Sequence, residues 1–424
     1  IGVTNLQVSG ITTGLNVSGI ITAQNGINFN GTSTGLNASG VSTTVTLNAT
    51  TLSVSGNATI GGVLTYEDVT NVDSVGVITA RTNINLGDSI IHIDDTNTKI
   101  RFPAADTVSV ETAGNEALRV DSSQRLLKGL TTARGNYANN TSGVEYAFQL
   151  EGLNALNSTL SLVRNSNDAN DGGIFIGKTR ATSVGGNTVV QAGDDLGTIT
   201  FGGADGTTLQ FGAQIIAEAQ SGVGNDDMPT DLIFQTNSGT TSTTERVRIT
   251  STANLLVGTT TVEDFDGGRN HRIQVRGDTY QTAGISILDT QNDDNACELL
   301  LGKSRGTGNV IVGDADDVGQ IRWAANDGAG FHSIAWIRAS MDGNVGSDDL
   351  PSNLRFGTCT DGGTTVSERL RITNGGYVNI GGNYTQTTYT TQVTGTFNAT
   401  GNITQNGTAL ATNGKAIAMA MVFG

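Results

Sequence analysis

Apolar residues alternate with polar ones over short runs along most of the chain, and clusters rich in Gly, Asn, Asp and Thr interrupt the runs. Alternation with a period of two is the pattern of half-buried β-strands, whose successive side chains point to opposite faces. No stretch keeps a 3.6-residue period over three turns, so helices are not expected. Gly212–Gln220 comes nearest to a helix, but its counterpart around Ser333–Ala339 alternates and contains a Trp, so a strand is expected at both places.

The alternation is organised in repeats, which bear on the whole architecture. Near the start, Leu6-Gln-Val-Ser-Gly10, Leu15-Asn-Val-Ser-Gly19, Leu36-Asn-Ala-Ser-Gly40 and Leu52-Ser-Val-Ser-Gly56 share one pattern, and Phe397-Asn-Ala-Thr-Gly401 repeats it near the end. Each unit predicts a short strand with one narrow apolar face, closed by a Gly that accepts a positive φ. Hairpins of that size are not stable alone and need neighbours to stack on.

A longer repeat covers the middle of the chain. Phe148-Gln-Leu-Glu-Gly152 matches Ile273-Gln-Val-Arg-Gly277, and Ile176-Gly-Lys-Thr-Arg180 matches Leu301-Gly-Lys-Ser-Arg305, both at an offset of 125. Asp194-Asp-Leu-Gly-Thr-Ile199 and Asp226-Asp-Met-Pro229 recur at an offset of 122, so a three-residue slip is expected in a loop. A signature closes each copy and also stands upstream of both. Glu116 and Arg119 lead to Gly129, Glu245 and Arg248 to Gly258, and Glu368 and Arg371 to Gly381, with 13 residues from Glu to Gly each time. The fixed spacing predicts one local geometry used three times. In a regular strand the Glu and the Arg three residues on fall on opposite faces. The Arg then either meets a carboxylate of a neighbouring strand or chain, or stands on a solvated face.

These repeats divide the chain into an N-terminal repetitive shaft (1–65), a linking β-module (66–144), two homologous β-domains (145–262 and 263–383) and a C-terminal shaft with an apolar end (384–424). The last ten residues, Lys415-Ala-Ile-Ala-Met-Ala-Met-Val-Phe-Gly424, are the most apolar stretch. They suit a terminal strand that seals a shared core, or an exposed docking tip.

Composition narrows the class. Gly is 58 of 424 residues, aromatics are 5% and charged residues 15%. So few large apolar side chains cannot enclose a broad core in one chain, whereas several chains can share a narrow one. The formal net charge of −16 repels phosphate and argues against nucleic acid as a partner. Two Cys cannot form a disulfide framework. No apolar run approaches the roughly 18 residues of a spanning helix, so no membrane insertion is expected.

The Leu-x-Val-Ser-Gly units, the segments Thr65–Ala80 and Ile91–Pro103, and the Glu-Arg-Leu-Arg-Ile-Thr ending together resemble the tail fibres of marine, cyanophage-like bacteriophages. The resemblance covers nearly the whole chain. It implies an all-β, elongated, intertwined homotrimeric fibre on the virion, extracellular before it attaches to a bacterial host. The implied partners are two further copies of the chain, other phage tail or baseplate proteins, and a host cell-surface glycan or protein. Many such fibres end in a self-cleaving chaperone domain, and nothing in this sequence looks like one. Binding without catalysis is the expected function. The alternatives are a glycan-degrading tailspike, which needs two carboxylates across a cleft, and a bacterial trimeric adhesin, which needs heptads and an anchor that are not found.

Chemistry-bearing motifs are few. Gly172-Gly-Ile-Phe-Ile-Gly177-Lys178-Thr179 matches the phosphate-binding loop pattern literally, but its interior is apolar, no helix follows, and the copy has Cys297 in place of the first Gly. It is expected to be strand, with Cys297 a small apolar strand residue. His92 has no second His or Cys nearby, and the acidic loops lack the twelve-residue calcium pattern, so no cofactor or metal is expected from motifs. Both Trp lie in the second homologous domain. Trp323, Phe331, His332 and Trp336 form either an aromatic patch for stacking on a receptor sugar or ordinary core, since Trp323 aligns with Phe201.

Overall fold

The computed structural model describes residues 50–61, 77–137, 145–382, 384–398, 400, 403–405 and 408–411. Most of the expected N-terminal shaft, and the apolar stretch at 415–424, lie outside the described residues. Among the described residues there is no α-helix, and a single 3₁₀ turn, Ala155–Asn157, is the one departure from strand and loop.

Three six-stranded sheets follow one another. The first contains β1 (Ser89–His92), β2 (Asp95–Arg101), β3 (Val108–Thr112), β4 (Asn115–Val120), β5 (Leu126–Lys128) and β6 (Phe148–Leu150). The second contains β7 (Asp195–Ala204), β8 (Leu209–Ala219), β9 (Thr230–Thr236), β10 (Thr244–Ile249), β11 (Leu255–Val257) and β12 (Ile273–Val275). The third contains β13 (Asp317–Asn326), β14 (Phe331–Met341), β15 (Ser352–Cys359), β16 (Val366–Ile372), β17 (Val378–Ile380) and β18 (Thr391–Val393). A small hairpin, β19 (Ile403–Gln405) with β20 (Thr408–Ala411), stands beyond them.

All three sheets have one topology. Five strands form an antiparallel meander, and the sixth returns to lie parallel to the fifth. The segment expected as a linking module therefore carries the same sheet as the two homologous domains. The sixth strand of each sheet lies just past the sequence boundaries at 144, 262 and 383. Residues 85–424 form one unit of internal contacts. Gly212–Gln220 falls almost wholly within β8, and His92 ends β1. The three-residue slip lies in the loop between Arg180 and Asp194, which is shorter between Arg305 and Asp316.

The expected strand over 172–177 is not found. Among the described residues this stretch has no ladder partner, and neither does the stretch around Cys297, which is exposed. Cys297 makes only a weak contact, its thiol donating to the Ile287 carbonyl at 3.5 Å. Alternation alone marks an extended chain, and a strand also needs an edge to pair with.

The spacing of the signature has a direct structural cause. In each sheet the residue after the signature Glu (Ala117, Arg246 or Arg369) is an extra residue in a β-bulge. The strand then runs into a tight turn with a positive φ at Gln124 (63°), Ala253 (65°) or Gly376 (78°). The returning strand brings the signature Gly back opposite the bulge, where the Gly258 N–H donates to the Arg246 carbonyl at 3.0 Å and the Gly381 N–H to the Arg369 carbonyl at 3.0 Å. Thirteen residues is thus the contour of one hairpin from bulge to Gly.

That Gly is also sterically required. Its φ is 79° at Gly129, 74° at Gly258 and 82° at Gly381, a region open to Gly but strained for other residues. A Cβ there would lie 2.0, 2.3 or 2.7 Å from the carbonyl oxygen of Glu151, Arg276 or Thr394, each just past the end of the parallel sixth strand. Gly258→Ala is expected to destabilise by at least about 2 kcal/mol, read as a drop in melting temperature. Gly203→Ala, with nothing within 4 Å of the new methyl, is expected to leave it nearly unchanged.

Candidate functional site

The register of the ladders sorts the side chains of each sheet into two chemically different faces. In the second sheet one row of mutually paired residues runs Ile199, Ile215, Phe234, Val247, Val257, Val275 across all six strands. In the third the equivalent row is Ile321, Ile337, Phe356, Leu370, Ile380, Val393. The first sheet has Ile90, Ile100, Val110 and Leu118 in the same place. A second apolar row lies two residues along, with Leu232, Ile249 and Ile273 in one sheet and Leu354 and Ile372 in the next.

This apolar face is open in the single chain. Ile199 and Ile321 are each 50% exposed, and Ile90, Ile100, Ile249 and Ile273 are exposed as well. The extended segments continue the pattern, with Phe175, Ile174, Leu299 and Leu300 exposed. They approach the sheets at a matched point, where the Ile176 side chain lies over Gly197 and the Leu301 side chain over Gly319 and a Cβ would meet them at 2.5 and 2.7 Å, and Leu299–Leu301 line a shallow pocket with Ile321, Ile337 and Leu354.

The opposite face is polar and better covered. Here the signature residues meet. The bulge shifts the strand phase by one residue, so Glu and Arg three apart stand on the same face, contrary to the alternation expected from sequence. They form a two-pronged fork in all three sheets. Arg119 Nε and Nη2 donate to Glu116 at 2.7 and 2.6 Å, Arg248 to Glu245 at 2.8 and 2.8 Å, and Arg371 to Glu368 at 2.7 and 3.0 Å. Each fork raises the guanidinium pKa above its ordinary value, against the opposing effect of burial. Arg248 also reaches Asp231 at 2.7 Å and Glu218 at 3.1 Å, so one cation ties three carboxylates on three strands.

The polar face is completed by amides. Gln149 accepts from the Arg134 N–H at 2.8 Å and donates to the Arg134 carbonyl at 3.1 Å, and Gln274 does the same with Glu263 at 2.9 and 3.0 Å. Beside them Arg134 pairs with Glu151 at 2.6 Å, and Glu263 with Arg276 at 3.1 Å. The contact is kept while its charges are exchanged.

The literal phosphate-loop motif has another occupation. Arg180 forks onto Asp194 at 2.6 and 2.7 Å with Lys178 at 3.9 Å, and Arg305 forks onto Asp316 at 2.7 and 3.1 Å with Lys303 at 3.1 Å. The Lys-x-Arg element therefore clamps the extended segment to the acidic turn that opens the next sheet. The Arg forks, with backbone N–H donors of Gln191 and Gly313, hold both Asp carboxyls well below the usual carboxylate range.

Of the four aromatic-patch candidates, Phe331 and His332 stand together and the two Trp stand apart. Trp323 projects from the apolar face, 47% exposed. Trp336 points to the polar face and is only 7% exposed, lying against Gly357 with the Arg338 guanidinium 4.6 Å above its ring. Phe331 and His332 begin β14, where His332 pairs with Asp327 at 3.3 Å and Phe331 packs on Phe265 at 4.9 Å between ring centroids. Phe265 and its neighbour Asp266 were not singled out by sequence pattern. Asp266 accepts from the Ser333 backbone and hydroxyl and from Arg322, which joins the second sheet's closing loop to the third sheet. A cleft of about 590 Å³ lies at this junction, lined by Glu263, Phe265, His271, Arg276, Asn326 and Phe331 among others. Among the described residues no group of three or more His, Cys, Asp or Glu is gathered for a metal ion.

No protein-family model matches this chain, and no curated protein sequence matches it. Two solved structures show a partial likeness. The carboxy-terminal domain of the bacteriophage T5 L-shaped tail fibre is 13% identical, covering 58% of this chain and 100% of that chain, with a TM-score of 0.42. The same domain with its intramolecular chaperone domain is 14% identical, covering 58% of this chain and 68% of that one, with a TM-score of 0.43. The all-β architecture stands on the sheets themselves.

The clamps predict a pH dependence. A carboxyl whose folded pKa is depressed adds stability that is present above its unfolded pKa near 3.9 and is lost as pH falls through the folded value. Arg180→Met with Arg305→Met is expected to lower the melting temperature at neutral pH. The two melting curves should converge at strongly acid pH, in thermal melts recorded from neutrality downwards.

Proposed function

We propose that this chain is a structural and adhesive appendage of the bacteriophage tail-fibre kind, three copies wound together, carried on the virion tail and used to attach to a bacterial surface. The supporting observation is the uncovered apolar face that recurs in register on three successive sheets. Two further copies of the chain are the occupants of choice. The same face appears three times along one chain, and the extended apolar segments lack ladder partners, so a neighbour able to supply both a facing sheet and a strand edge must carry the same repeats. Moving a half-exposed Ile out of water stabilises by about 1 kcal/mol, and the rows offer many such side chains per sheet.

In this arrangement the apolar faces turn to a common axis, the polar faces turn to solvent, and strand edges are covered instead of free to aggregate. Trp323 belongs with the shared core, while Phe331 and His332 at the β13–β14 tip remain available to a receptor. The carrier is multivalent, because several equivalent tips per fibre raise avidity without tight single contacts. The two sequence-homologous domains and the shafts at either end are the segments of this fibre.

Sedimentation equilibrium is expected to return three times the chain mass of 43.7 kDa, and a folded monomer would overturn the arrangement. Ile199→Asp with Ile321→Asp would be mild in an isolated chain, because both positions are half exposed. In the trimer the pair is expected to dissociate the particle. Attachment is checked separately, by binding of the labelled trimer to a panel of bacterial cells against an unrelated protein of equal charge.

A further inference from the structure

The two homologous sheets carry opposite electrostatics at matched positions of their polar faces. At an offset of 122, Ile216 and Ile233 of the second sheet become Arg338 and Arg355 of the third, while Glu218 and Asp231 become Ser340 and Asn353. The formal charge of these four positions changes from −2 to +2. Arg338 pairs directly with Arg355, and Arg355 with Arg371, across β14, β15 and β16. Like charges placed opposite one another across strands are destabilising, and the second sheet keeps the fold with Ile at two of these places. The fold therefore does not require the row of Arg.

The carboxylates that remain do not fill it. Asp317 bridges Arg338 and Arg355, Glu368 forks to Arg371, and Asp266 takes Arg322. Arg355 Nε, Arg322 Nε and Asn353 Oδ1 are buried without a hydrogen-bond partner, and Asn353 is only 6% exposed. Unmade bonds of this kind are costly and call for an explanation. Burial pushes the Arg338 pKa below its ordinary value, Asp317 opposes this, and Arg355 and Arg322 add to the depression. An anion placed here would relieve the repulsion and accept from the Arg355 and Arg322 Nε–H groups, while Asn353 Oδ1, itself an acceptor, would be met by a sugar hydroxyl beside that anion. The face is the one opposite the apolar rows, so covering those rows leaves it as it stands in the single chain, with the Arg side chains 16–21% exposed.

We infer that the polar face of the third sheet, centred on Arg338, Arg355 and Arg371 with Arg322 at its margin, binds the anionic group of a surface glycan, a carboxylate or a phosphate. Guanidinium pairs suit both groups, because they donate two parallel hydrogen bonds to a planar or tetrahedral oxyanion. The inference rests on the attachment reading for its biological meaning and on the Arg row for its chemistry. The chain as a whole carries −16 and is repelled by anionic cell surfaces at long range. A local cationic patch then selects the sites at which contact is made.

The test is a titration of the full chain with glucuronate, glucose 1-phosphate and neutral glucose, followed by calorimetry and by the fluorescence of Trp336, whose ring lies under Arg338. Saturable binding of at least one anion, about tenfold or more tighter than glucose and weakened by salt, is expected. The comparison of the two anions assigns the group as carboxylate or phosphate. Arg338→Ile with Arg355→Ile restores the second sheet's residues and is expected to keep the melting temperature and particle mass while losing the preference for the anion. Anion binding no tighter than that of glucose, or a preference that survives in the double variant, would overturn the inference. The titration reads the site in any oligomeric state, and particle mass and cell binding test the fibre independently, so the two readings fail separately.

Discussion

A sheet with one apolar face is stable in water only when something lies against that face, whether a helix layer, a second sheet or another chain. Here three sheets in succession present such a face, and among the described residues neither a helix nor a second sheet layer covers it. Among the described residues, the side chains buried within the chain are instead polar at least as often as apolar. Asn379, Ser109 and Ser340 are among the most enclosed residues, together with Leu127 and Leu256. This inversion, with polar groups enclosed and Ile exposed, is what the proposed assembly resolves. It also accounts for a composition with so few aromatics, because a narrow shared axis needs small β-branched residues more than large rings.

The polar face is held by short-range devices that repeat with their function intact and their details altered. The bulge turns Glu toward Arg, the turn brings Gly back to the bulge, and the missing Cβ lets the sixth strand close in. Leu127, Leu256 and Asn379 occupy one position beneath this arrangement, all fully buried. Exchange of Leu for Asn works because Asn379 donates to the Tyr384 carbonyl and accepts from Gln386. The reversal of Arg134 and Glu151 into Glu263 and Arg276 shows the same logic. A contact is preserved by complementarity and not by residue identity.

The separation of faces gives the molecule two independent surfaces for change. Apolar positions are constrained by the shared core proposed for them, and along the main row of the second and third sheets they vary only among Ile, Val, Leu and Phe. Positions on the opposite face are free to change charge between sheets, as Glu218, Asp231, Ile216 and Ile233 giving way to Ser340, Asn353, Arg338 and Arg355 illustrates. Under the proposed assembly, one face can therefore alter without disturbing the other.

Much of this was legible in the residues alone. The period of two, the scarcity of helix pattern, the 122–125 offset and the invariant 13-residue signature point to an all-β chain with one local geometry used three times, because those features depend on local geometry. Three things were decided only by the tertiary structure. The bulge placed Glu245 and Arg248 on one face, since a single inserted residue reverses the phase and leaves no mark in composition. The stretch at 172–177 kept the alternation of a strand but found no edge in its own chain. Trp323 and Trp336, thirteen residues apart, went to opposite faces because pairing and a second bulge at Ile334, not sequence distance, set which side chains meet. Period and spacing are properties of a segment. Partnership across a ladder is a property of the assembled sheet, and the candidate site, built from side chains on β13 to β16, exists only there.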